Sequence, residues 1–196
     1  SSAVLEYSTE NGAKPECSTI IFAGLYWTGR SDAGADLNID GDNDHNTFDV
    51  GTKKFDKRKV SLKVPNSSTY IEVSATEIYF PNNTDGNFYS AYAEITDNVR
   101  GLDDGGIGEY FVADIATREG TPDNIGYYGG WGMVVVYENS QMNYRDVTIF
   151  DGHAYVVNNT VEYTLDASGF NAAQNGAVNL KIGVMAGEGD VGIDGD

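Results

Sequence analysis

The sequence is poor in several residue types, and each shortage excludes a class of structure or function. Among 196 residues there is a single cysteine, Cys17, so no disulfide can form within the chain. Only 12 lysine and arginine residues stand against 30 aspartate and glutamate residues, which gives a formal net charge of −18. Binding to nucleic acid or to an anionic membrane surface needs clustered basic residues. We therefore expect neither of them as a partner.

Long apolar runs and catalytic motifs are also missing. No apolar run approaches the roughly 18 residues that a membrane-spanning helix needs, so we expect no membrane insertion. There are two histidines, His45 and His153, and they lie far apart in the sequence. No nucleophile-elbow motif, P-loop or dinucleotide-binding glycine motif occurs. Carboxylate pairs are so common in the predicted loops that none of them indicates glycoside hydrolysis. We predict that the protein is not an enzyme.

The abundant residues favour strands and turns. Leucine is scarce, whereas valine, isoleucine, tyrosine, threonine, glycine and asparagine are plentiful. Alternating apolar and polar positions, separated by turn residues, predict about ten to twelve strands and almost no helix. Such a series is typical of an all-β sandwich or jelly-roll-like fold. No domain boundary stands out, so we predict one domain over residues 1–196.

The longest apolar run lies in residues 129–152, around which the fold is expected to be organised. Residues 133–137 do not alternate, which predicts a central strand covered on both faces. Residues 146–150 predict a second strand, so the two should form a hairpin. An earlier apolar stretch, residues 18–28, predicts one long strand or two strands separated near Gly24, because glycine permits a bulge.

The sharpest local motif is an acidic loop in residues 36–44. Oxygen-bearing side chains fall on alternate positions, and a glycine at the sixth position allows a sharp turn, as in calcium-binding loops. The twelfth position is Thr47 rather than the usual glutamate, so a further carboxylate must complete the site. The predicted calcium ligands are Asp36, Asn38, Asp40, Asp42 through its backbone carbonyl, Asp44 and Asp49. A solvated acidic loop without metal is the alternative.

Two further groups of residues carry predictions. The basic residues concentrate in residues 53–59, which we interpret as a solvated strand edge, because lysines block edge pairing. Tyr127, Tyr128 and Trp131 fall in a predicted glycine-rich loop, where exposed aromatic rings could stack on sugar rings. Aromatic residues of strands more often pack in the core or pair across strands.

Four segments carry a family resemblance: IIFAGLYWTGR (20–30), GGWGMVVVYE (129–138), RDVTIFDG (145–152) and KIGVMAGEGDVGIDGD (181–196). They resemble the N-terminal β domain of large secreted bacterial surface proteins of the adhesin type. Those proteins carry immunoglobulin-like repeats and gliding or type IX sorting domains. The resemblance implies a secreted protein at the bacterial cell surface, and it supplies no catalytic residues.

These observations together predict a structural or adhesive module of a secreted cell-surface protein or extracellular filament, stabilised by calcium. Its partners would be other copies or adjoining modules, joined by strand addition. Residues 4–7 are the expected donor strand, unless later residues of the same chain complete the fold. The alternative is a calcium-dependent, lectin-like module that binds surface glycans.

Overall fold

The all-β fold predicted from the sequence is confirmed. The structure is a computed structural model that describes residues 1–31, 45–81, 87–120, 126–154, 164, 166–169, 171, 175 and 180–185. Within them lie ten strands, three short 3-10 turns and one four-residue helix, α1, Thr96–Val99. No helix in this part of the chain is long and apolar enough to cross a bilayer. The strands are β1 Ser2–Leu5, β2 Thr19–Arg30, β3 Thr47–Val50, β4 Lys53–Asp56, β5 Lys59–Lys63, β6 Ile71–Ser74, β7 Glu77–Tyr79, β8 Phe88–Glu94, β9 Gly108–Ala113 and β10 Gly129–Glu138.

The strands form a sandwich of two four-stranded sheets. One sheet has the order β1-β9-β5-β6, the other has the order β10-β2-β8-β7, and β3 and β4 form a separate hairpin. All neighbouring strands are antiparallel. Buried side chains from both sheets join in one core, so the inner faces pack on each other. This core includes Leu25, Trp27, Val60, Leu62, Tyr89, Ala91, Tyr110 and Val112.

β2 is a single strand of 12 residues in the second sheet. Its ladder with β10 skips Ile21, so the bulge lies three residues before the Gly24 position predicted from the sequence. The bulge lets Ile20 face the core while Ile21 is 47% exposed. Arg100, directly after α1, donates from Nε to Ile20 O (3.2 Å) and from Nη2 to Ile21 O (3.1 Å). These bonds satisfy carbonyls that the irregular ladder leaves available.

The other end of β2 lies close to a buried tyrosine. A Cβ atom on Gly29 would lie 2.8 Å from Cε1 of Tyr89, so only glycine fits there without displacing the ring. The Tyr89 hydroxyl donates a 3.0 Å hydrogen bond to Ala116 O. Burial raises the pKa of the Tyr89 phenol, which keeps the hydroxyl protonated as a donor.

The chain separates into two units of contacts. The first, residues 1–142 together with 187–196, holds all ten described strands. The second is residues 143–186, and its described residues form neither helix nor strand. Tyr144, Val147 and Phe150 are exposed there. The predicted strand at residues 146–150, and with it the hairpin, is therefore wrong. An alternating pattern forms a strand only where a second strand supplies the ladder, and β10 takes β2 as its partner.

Candidate functional site

Of the predicted calcium ligands, Asp49 lies among the described residues. Asp36, Asn38, Asp40, Asp42 and Asp44 lie outside the described residues. Asp49 lies in β3, where it is exposed and stands opposite Lys54 of β4. Across the described part of the chain, no three histidine, cysteine, aspartate or glutamate side chains come close enough together to hold a metal ion. A calcium site therefore stays a prediction from the loop sequence.

Trp131 lies in a strand, which corrects the prediction of a loop. It is the third residue of β10 and stands opposite Trp27 of β2. Its side chain is half-buried against the core. The indole Nε1 donates a 2.6 Å hydrogen bond to Ser1 Oγ. Trp131 thus packs the sandwich, as aromatic residues of strands usually do.

Tyr127 and Tyr128 immediately precede β10 and contact a buried arginine. Arg30 is 5% exposed at the end of β2. Its guanidinium carbon lies 5.9 Å from the ring centroid of Tyr127 and 5.1 Å from that of Phe88. Arg30 Nη1 donates to Gly126 O (2.7 Å), and its backbone N donates to Tyr128 O (2.9 Å). Both tyrosines therefore help to hold Arg30, a residue that the sequence analysis did not single out.

A second buried cation lies in the turn between β4 and β5. Lys57 has no exposed surface, so the prediction that residues 53–59 form a solvated edge is wrong at this position. Its Nζ lies 5.6 Å from the ring centroid of Phe48, 5.4 Å from that of Phe80 and 5.8 Å from that of Tyr89. Rings at such distances attract a cation through their negative faces. The alternation of apolar and polar residues in residues 53–59 could not predict the burial of Lys57, because Lys57 lies in a turn and not in a strand.

The far end of β10 is fixed by contacts with the N-terminal part of the chain. The Tyr137 ring stacks on Tyr7 with centroids 4.1 Å apart. Tyr7 donates from its hydroxyl to Gly105 O (2.7 Å), and burial raises its pKa to about 12. One residue beyond the strand, Asn139 donates from Nδ2 to Lys14 O (3.0 Å). These contacts hold the C-terminal end of β10 in place.

The outer edge of β10 has the features of a pairing surface. In the described part of the chain, β10 has β2 as its ladder partner on one side and is the edge strand of its sheet. It is ten residues long and contains neither lysine nor proline, the residues that commonly block an edge. β7, the opposite edge, has three residues and carries Glu77. A long edge without such residues is suited to strand addition.

Comparisons with known proteins give no relative. No protein-family model matches the chain, no curated protein matches it, and no solved structure matches its fold.

Proposed function

We propose that the chain is a structural or adhesive module of a secreted bacterial cell-surface protein or extracellular filament, stabilised by calcium. The observation that carries this proposal is the ten-residue edge of β10, held in place at both ends and free of lysine and proline. A rigid sandwich with such an edge can join like modules through main-chain hydrogen bonds, without any catalytic chemistry. The acidic surface, at a net charge of −18, keeps such a module soluble outside the cell.

The partners would be other copies or adjoining modules that add a strand to β10. The N-terminal segment is a poor donor for this exchange, because Ser2–Leu5 already pairs with β9 of its own chain. The Ser1 nitrogen also donates to Val112 O (3.0 Å), which extends this pairing. The proposal therefore makes β10 the acceptor and assigns the donor strand to another segment.

Assembly through β10 gives a test. We expect the wild-type protein to form oligomers whose size rises with concentration, and Val134→Lys to reduce them to monomers, because a lysine on an edge strand blocks pairing. The control is Tyr79→Lys on the opposite edge strand, where the side chain is 48% exposed, whereas Val134 is half-buried. Light scattering measures the mass, and circular dichroism checks the fold. Monomeric wild-type protein at every concentration would contradict the proposal, as would a Val134→Lys variant that still assembles.

Calcium binding gives a second prediction. If the loop of residues 36–44 binds calcium in the native state alone, calcium at a hundredfold excess over its Kd stabilises the fold by about 2.7 kcal/mol. Chelation should then lower the melting temperature of the wild-type protein. Asp40→Ala should melt at the same temperature with and without chelator, whereas Asp166→Ala, outside the loop, should still respond. Superimposable wild-type melting curves with and without chelator would refute the site.

The lectin-like alternative, as predicted from Tyr127, Tyr128 and Trp131, has weaker support. Tyr127 and Tyr128 help to hold Arg30, and Trp131 packs against the core. A glycan array in which Trp131→Ala abolished a specific signal would favour the alternative.

A further inference from the structure

The core-facing side chains of the edge strand β10 are only partly covered. Met133, Val135 and Tyr137 pack against the buried core, and so does Trp131, yet each of the four is half-buried. In the adjacent strand β2, by contrast, the core-facing Leu25 has no exposed surface. Apolar surface that stays in water gains nothing from folding, and a further strand beside β10 would cover it. The core is therefore open along the outer edge of β10.

The first sheet ends beside the same opening. Its edge strand β1 is flanked by two contacts to β10: Trp131 Nε1 donates to Ser1 Oγ (2.6 Å), and Ser8 N donates to the Tyr137 hydroxyl (3.2 Å). Leu5 of β1 packs against the core and is half-buried, like the core-facing residues of β10. A strand added to β10 would therefore meet apolar side chains from both sheets.

Residues 180–185, which we call the LKIGVM segment, have the pattern that such a strand needs. Leu180, Ile182 and Val184 are 65%, 75% and 86% exposed. They alternate with a lysine and a glycine, so in an extended chain all three point to one face. The segment forms neither helix nor strand, and a Cβ atom on Gly183 would meet nothing within 4 Å. It has the apolar face of a strand, and no strand of the described chain pairs with it.

Residues 146–150 are a weaker candidate for the same role. Val147 and Ile149 share a face of that stretch, but they are only 56% and 37% exposed, so less apolar surface remains to be buried. The stretch also contains Asp146, whose negative charge is disfavoured beside a chain with a net charge of −18. Lys181 is the one charged residue of the LKIGVM segment, so electrostatic attraction favours the LKIGVM segment as the added strand.

We propose that the LKIGVM segment of one copy adds as an antiparallel strand to β10 of a second copy. This inference rests on the proposed function and identifies its donor strand. Directly opposite residues of an antiparallel pair point to the same face of the sheet. In one register every alternate apolar residue of the segment stands opposite a core-facing residue of β10; the pairs are Leu180 with Val135, Ile182 with Met133 and Val184 with Trp131.

The donor and the acceptor are different parts of the chain. Each copy therefore gives one strand and accepts another, which makes the contact heterologous rather than symmetric. A heterologous contact continues from copy to copy and produces a fibre unless the rotation between copies closes a ring. Strand addition by the LKIGVM segment thus explains growth into a filament, whereas symmetric pairing of two β10 edges would stop at a dimer.

Complementation between two variants of the full chain tests this assignment. Val134→Lys blocks the acceptor edge and keeps the donor, whereas Ile182→Asp disables the donor and keeps β10. Ile182→Asp should weaken self-association about tenfold or more, since a large aliphatic side chain is no longer buried at the contact. At the lowest concentration that assembles the wild-type protein, each variant alone should be monomeric. Their equimolar mixture should form dimers that grow no further, because one working donor and one working acceptor remain per pair.

The matched control is Val147→Asp, which places the same charge on another exposed apolar residue and should assemble like the wild-type protein. Light scattering measures the mass of every sample. Circular dichroism should show an unchanged fold for Ile182→Asp, because the Ile182 side chain is 75% exposed.

A mixture that stays monomeric would overturn the donor assignment. So would wild-type assembly by Ile182→Asp alone, or loss of assembly in Val147→Asp. If the wild-type protein assembles and Val134→Lys does not, these results leave the proposed function standing and reject only the LKIGVM segment as donor. A wild-type protein that is monomeric at every concentration would overturn both.

Discussion

Trp27→Ala is expected to lower the free energy of unfolding by about 3–5 kcal/mol, the range for removing a buried aromatic side chain. Trp27 is 1% exposed and lies in β2, the strand that pairs with both β10 and β8. Its removal leaves a cavity between the two sheets that the surrounding side chains cannot fill without moving. Urea unfolding followed by circular dichroism measures the loss, because the midpoint and slope of the transition give the free energy of unfolding.

A second substitution separates the hydrogen bond of Trp27 from its packing. Trp27 also donates from Nε1 to Lys57 O (2.9 Å) in a buried position. Trp27→Phe keeps most of the packing but removes this donor, which should cost about 1–3 kcal/mol. Trp131→Ala is the control, because this indole is half-buried and stands opposite Trp27 on the edge strand. Equal losses for the two alanine variants would show that Trp27 is not central to the core.

The sequence predicted the strands well where the pattern was local and strong. The apolar run at residues 133–137 lies in β10, but in the described part of the chain β10 is an edge strand, so the prediction of a central strand is wrong. The stretch at residues 18–28 lies in β2 from Thr19 onwards. The identity of the partner strands was not predictable in the same way. The turn signal after β10 favoured a hairpin with residues 146–150, yet β10 pairs with β2, about a hundred residues earlier. Hydrophobic periodicity describes which face of a strand is buried, and it carries no information about which strand lies beside it.

Glycine was the main source of error near the candidate sites. Gly129, Gly130 and Gly132 suggested a loop around Trp131, but the glycines belong to β10 and leave Trp131 facing the core. Gly24 suggested a break in the strand, but it makes room for three aromatic rings. Gly24 and Gly129 serve the close packing of neighbours rather than a turn, since a Cβ atom on Gly129 would lie 3.1 Å from Cγ2 of Ile115, whereas one on Gly130 would meet nothing within 4 Å. A single sequence does not distinguish the two uses, because both need only the absence of a side chain.

Lys57 shows why a buried charge is hard to predict from composition. It belongs to a run of basic residues in which Lys53 and Lys54 are exposed. The turn between β4 and β5 directs it inwards, and Asp56 Oδ1 supports that turn by accepting from the backbone N of Arg58 (2.9 Å). The Lys57 backbone is held as well, since its N donates to Asn46 O (2.8 Å) and its O accepts from Trp27. The rings around its ammonium group come from the neighbouring strand β3, through Phe48, and from Phe80 and Tyr89, which lie more than 20 residues later.

Lys57→Ala is accordingly expected to destabilise the fold by about 3–5 kcal/mol, because it removes both a buried four-carbon stem and the desolvated cation–ring contacts. Lys57→Met retains the volume of the stem and should lower the free energy of unfolding by about 2 kcal/mol, which is the contribution of the ammonium charge. Lys63→Met is the matched control: its ammonium lies 3.8 Å from the Phe111 ring centroid, but the residue is only half-buried, so the loss should stay below about 1 kcal/mol. Urea unfolding of the four proteins gives the comparison. A Lys57→Met variant as stable as the wild type would show that packing of the stem, and not the cation among the rings, holds this turn against the core.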